Sequence, residues 1–120
     1  MAERDPFEPL DSPLDREQDF GPIGAQVVEV LKGIYDPEIP VPIWDLGLIY
    51  LIDVDDDNEV YVKMTLTAPN CPAAESLPAE VQEKVTTIPD VRACKVDITF
   101  DPPYHPDYMT PEAKMTLGFM

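Results

Sequence analysis

The apolar positions of this chain change period along its length, and the changes outline an α+β domain. Ile23, Val27, Val30, Leu31 and Ile34 recur at spacings of three and four, the stripe of an amphipathic helix that buries one face. Asp36-Pro37 ends that stripe, since proline lacks an N–H and disfavours helical geometry in the residue before it. Pro40 and Pro42 then keep the stretch to Gly47 a stiff irregular loop. Leu48 to Val54 is dense in Ile, Leu, Val and Tyr and predicts a first strand, with Asp55 to Asn58 as a turn. Val60, Val62, Met64 and Leu66 alternate with Tyr61, Lys63, Thr65 and Thr67, which predicts a second strand folded back as a hairpin.

After Pro72 the period returns to that of a helix at Ala74, Leu77, Val81, Val85 and Ile88. Pro78 lies inside this stripe and is expected to kink or divide it. Arg92, Cys94, Val96, Ile98 and Phe100 fall on one face of a third strand, which points Cys94 toward the core. Asp101 to Tyr108 is a proline-fixed loop, and Thr110-Pro111-Glu112 has the form of a helix start, with a short helix running through Leu117. The expected fold is a small two-layer α+β domain, helix-strand-strand-helix-strand with a short C-terminal helix, its helices packed on a three-stranded mixed sheet.

Residues 1–22 carry four prolines and seven acids among few large apolar side chains, a composition that cannot bury enough surface to offset its ordering entropy. They are expected to form a disordered acidic N-terminal extension, with a short docking motif around Phe7 and Leu10 as the alternative, and residues 23–120 the folded domain. The whole chain holds 24 acidic and 8 basic residues in 120, a formal net charge of −16. Such a balance argues against nucleic acid and anionic membrane surfaces as partners and favours proteins or cations. Without a basic-then-apolar leader or an apolar run of spanning length, the sequence reads as cytoplasmic, and its two cysteines as reduced.

Cys71 stands where the second strand gives way to the helical stripe. A thiol there would face unpaired N–H groups and the positive end of the helix dipole, which favour the thiolate. The alternative is a small apolar residue packed under a loop. Metal chemistry is limited by ligand count: the chain offers Cys71, Cys94 and His105, with no C-x-x-C pair, so it lacks the ligands for a zinc finger or a four-cysteine cluster of its own. Any cluster must be shared between two chains or with a partner. The Asp55–Asp57 run lacks the glycine and terminal glutamate of a calcium loop and reads as a solvated hairpin tip. Cys71 with His105 could make a cysteine enzyme, and no glycine-rich phosphate loop is present.

Three segments taken in order, Asp36-Pro37-Glu38, Ile43-Trp44-Asp45-Leu46-Gly47-Leu48-Ile49-Tyr50 and Met64-Thr65-Leu66-Thr67 leading to Asn70-Cys71-Pro72, resemble the SufT-like and PaaD-like iron-sulfur cluster assembly proteins. The closing Phe100-Asp101-Pro102-Pro103 and Met109-Thr110-Pro111-Glu112-Ala113 agree, although Tyr104 and His105 stand where the family commonly has tryptophan. The resemblance implies a non-enzymatic accessory factor of the SUF route. Its functional thiol would be Cys71, a shared or transient ligand to a labile cluster or iron, with Asp36, Glu38, Asp45 and Thr67 nearby. It also implies SUF scaffolds or apo iron-sulfur clients as partners, or a homodimer; a PaaD-like maturation subunit of an aromatic-ring oxygenase is the alternative.

Overall fold

A computed structural model describes residues 14, 20–36, 39–67 and 73–118, without the side chains of 73–75. Its elements run α1 (Gly21–Leu31), α2 (Ile43–Leu46), β1 (Ile49–Val54), β2 (Glu59–Met64), α3 (Ala73–Thr86), β3 (Ala93–Ile98) and α4 (Pro111–Leu117), with a 3-10 turn at Pro106–Tyr108 before α4. The sheet has the order β1-β2-β3, antiparallel between β1 and β2 and parallel between β2 and β3. A parallel neighbour requires a crossover, and α3 supplies it. The expected two-layer α+β fold with a mixed three-stranded sheet is therefore what forms.

Alternation decides which face of the sheet is dry. Val60, Val62 and Met64 of β2 are buried together with Val27 and Leu31 of α1 and Leu77, Val81 and Val85 of α3, while Leu51 and Asp53 of β1 are exposed. Cys94 joins the dry face at 6% exposure, paired in register with Val60, and burial pushes its thiol up to about 11. The same stripe fails at its end, where Phe100 lies two residues beyond β3 and is 45% exposed.

Three local expectations need correction. The first helix ends at Leu31, not at Asp36-Pro37: Gly33 follows its cap, and the Ile34 carbonyl accepts the Ile43 N–H at 2.8 Å instead of continuing the helix. Ile34 is still fully buried, because that bond folds it back onto the core. The loop to Gly47 contains the single turn α2. Of the two outcomes expected at Pro78, division does not occur and α3 runs as one helix: an interior proline costs about 3 kcal/mol, while burial of Leu77, Val81 and Val85 contributes about 1.5–3 kcal/mol each.

Within the stretch drawn as an acidic extension, Leu14 is buried against the core and Phe20 meets Trp44 edge to face with ring centroids 6.3 Å apart. The motif proposed around Phe7 and Leu10 lies outside the described residues. No helix among the described residues is long and apolar enough to cross a membrane.

Candidate functional site

The D-L-G segment owes its shape to its glycine. After the single turn of α2, Gly47 takes a φ of 81°. The Leu48 N–H returns to the Ile43 carbonyl at 3.3 Å and the Gly47 N–H to that of Trp44 at 3.2 Å, the paired bonds of a Schellman cap. Ile43 and Leu48, the apolar positions that flank such a cap, are both fully buried. Asp45 sits part-buried in this turn, and its main-chain carbonyl accepts the Thr110 N–H at 2.9 Å.

Backbone bonds gather the motif segments into one region. Ile34, two residues before Asp36, binds Ile43 through its carbonyl. Leu48 accepts the Thr65 N–H at 2.8 Å, two residues before Thr67. Asp36 is buried at 4% exposure and Thr67 is part-buried at the last described position before α3. Cys71 and Glu38 lie outside the described residues; in sequence, Cys71 precedes the start of α3 by two positions.

A tyrosine cluster on the C-terminal side of this region was not foreseen. β1 carries a bulge between Ile49 and Leu51, and the extra residue lets both Ile49 and Tyr50 be buried. The Tyr50 hydroxyl donates to the Pro102 carbonyl at 3.0 Å. Burial, with Tyr108 adding to it and the Thr65 hydroxyl opposing, pushes Tyr50 up to about 12. Tyr108 stands edge-on to both Tyr50 and Tyr104 with centroids 6.0 Å apart. The Tyr104 hydroxyl donates to the Leu46 carbonyl, and a Cβ on Gly47 would run into the Tyr108 backbone. Alternation along 48–54 cannot reveal a bulge, so only the three aromatic residues themselves were visible in the sequence.

His105 is exposed and caps the 3-10 turn, its Nδ1 accepting the Asp107 N–H at 3.0 Å. The described residues offer one group of metal-ligating types, the exposed Asp55, Asp57 and Glu59 at the hairpin tip, with ligand atoms within 4.8 Å of one another. These are hard oxygen donors suited to hard cations rather than to iron-sulfur clusters, and Asp55 Oδ1 already accepts the Asp57 and Glu59 N–H groups at 2.9 Å.

The family model for iron-sulfur cluster assembly proteins matches residues 24–98. A Porphyromonas gingivalis Fe-S protein maturation auxiliary factor is 50% identical over 94 residues, 78% of this chain and 90% of that protein. The Staphylococcus aureus Fe-S protein maturation auxiliary factor SufT is 36% identical over 85 residues, covering 71% of this chain and 97% of its own length. Among solved structures, a domain of unknown function from Bacillus anthracis superposes with a TM-score of 0.77 at 30% identity, over 82% of this chain and 93% of that one.

Proposed function

We propose, because this chain belongs to the iron-sulfur cluster assembly protein family, that it is a non-enzymatic auxiliary factor in the maturation of iron-sulfur proteins. The observation that carries this reading is the 50% identity to a maturation auxiliary factor across nine-tenths of that protein's length. Its partners are the scaffold of a SUF-type route or apo iron-sulfur clients, and a cluster or iron is its cargo.

Cys71 is the thiol that meets this cargo. Thiolates are the ligands that iron-sulfur clusters require. Cys94 is a poor donor, since burial holds its thiol protonated, and the Nδ1 of His105 is engaged by the turn it caps. With one available thiol per chain, ligation at Cys71 is shared, with a second copy or with the recipient, and transient. The motif acids Asp36, Glu38 and Asp45 and the hydroxyl of Thr67 belong to the same site by their place in the family pattern. Anaerobic reconstitution with iron and sulfide tests the ligand role: the native protein takes up cluster with thiolate-to-iron charge-transfer bands and Cys71→Ser does not. Equal uptake by the two proteins refutes it.

A further inference from the structure

The sheet ends on two strands of different character. β1 is bulged between Ile49 and Leu51, and it exposes Asp53, with the exposed Asp55 just beyond the strand; bulges and charges of this kind blunt an edge against further pairing. β3 has neither device. Ala93–Ile98 pairs with β2 residue for residue, without a bulge or a proline, and among the described residues no strand lies on its other side.

The bonding pattern shows which peptide groups that edge presents. The Glu59 carbonyl accepts the Asp55 N–H and the Thr65 N–H donates to Leu48, both toward β1, while the Met64 carbonyl accepts the Thr99 N–H at 2.8 Å on the side of β3. Peptide groups alternate in direction along a strand, so the even-numbered residues of β2 meet the odd-numbered residues of β3. Cys94, Val96 and Ile98 therefore turn their N–H and C=O groups outward, a template for one more strand.

The side chains select which strand fits. Let β3 of a second copy pair antiparallel with the two-fold axis at Val96: Val96 meets Val96, Cys94 meets Ile98, and Lys95 meets Asp97 in both directions. Val96 and Ile98, only partly buried in the single chain, gain apolar cover. Lys95 and Asp97, whose side chains are 76% and 47% exposed, form two opposite-charge pairs across the strands. Moving the axis to Lys95 or to Asp97 keeps the peptide groups in step but sets lysine against lysine or aspartate against aspartate, which is destabilising. Charge thus singles out the register centred on Val96.

We infer that β3 is a dimerisation edge: two copies of this chain join antiparallel about Val96 into one continuous six-stranded sheet. The contact is independent of the role given to Cys71. The carboxyl ends of the two β2 strands, where each chain leaves toward Cys71, lie at opposite ends of the joined sheet.

The test is sedimentation equilibrium of the full chain at about 0.15 M salt, with Lys95→Asp and Asp97→Lys measured alone and mixed. The native chain should reach dimer mass as its concentration rises. Each variant opposes like charges at two symmetric positions and should dimerise roughly 10-fold more weakly. Their equimolar mixture, in which opposite charges face again, should associate as the native chain does. A second arm uses Val96→Cys in a Cys71→Ser background. The hydrogen-bonded pair at the axis holds its Cα atoms about 5.5 Å apart, within disulfide range, so mild oxidation should link that variant to itself, while Leu51→Cys on the bulged edge should stay unlinked. The inference is overturned by a native chain that stays monomeric up to about 1 mM, by Lys95→Asp dimerising as the native chain does, or by a mixture of folded variants that associates no better than either alone. Where circular dichroism shows a charge variant misfolded, the cross-link decides, and failure of Val96→Cys to link overturns the inference.

Discussion

Replacing Gly47 with alanine should be among the most costly single-atom additions this fold can receive. Two independent penalties meet there. The φ of 81° places any residue with a Cβ in the left-handed region, worth roughly 1–2 kcal/mol. The added Cβ would also lie 2.7 Å from both the carbonyl carbon and the Cβ of Tyr108 and collide with its carbonyl oxygen. Main chain cannot swing aside as a flexible side chain can, so overpacking of this kind adds about 1–3 kcal/mol. Together these predict a loss of roughly 2–5 kcal/mol, and a fall in Tm of about 4–8 °C for each kcal/mol. Guanidinium unfolding gives the midpoint and slope needed to read it. Gly118→Ala is the internal control: it has the same φ of 81° with nothing within 4 Å of the added atom, so it carries only the conformational penalty. If Gly47→Ala is no less stable than Gly118→Ala, the C-terminal segment does not approach the D-L-G turn this closely.

Two further predictions concern other parts of the fold. Cys94 holds its proton to about 11 in the folded protein against 9 for a free thiol, so the unfolded state loses the proton first as pH rises and stability falls between about pH 9 and 11; Cys94→Ala should flatten that part of the profile in thermal unfolding, and peptide mapping should show native Cys94 resisting alkylation at neutral pH. The Thr110 side chain accepts the Ala113 N–H at 3.2 Å at the start of α4, so Thr110→Ala should cost about 1 kcal/mol in denaturant titration.

Much of this architecture is legible in the sequence because one physical rule governs each part. Alternation from Val60 to Met64 marks a strand with one dry face. Thr110 followed by Pro111 marks a helix start, because the threonine accepts an orphan N–H and the proline needs none to donate. Ile34 misleads because it is buried by a long-range bond to Ile43, which the helical stripe imitates. Tyr50 misleads because a bulge shifts the strand register by one residue, and only the packed tertiary structure selects that shift. Phe100 continues the period of β3 beyond the strand that produces it.

At the proposed site, the thiol and the motif acids are legible as chemistry, while the contacts that join the D-L-G turn to the C-terminal segment are not. The contacts from Tyr104 to Leu46, Tyr108 to Gly47 and Thr110 to Asp45 span about sixty residues of sequence, and no local pattern announces them.

The functional role of Cys71 is measured most directly by complementation of a deletion strain with Cys71→Ser while client iron-sulfur enzymes are assayed. The variant is expected to accumulate and fold as the native protein does, yet to leave client activity at the level of the deletion. Full restoration of client activity by Cys71→Ser would contradict that role.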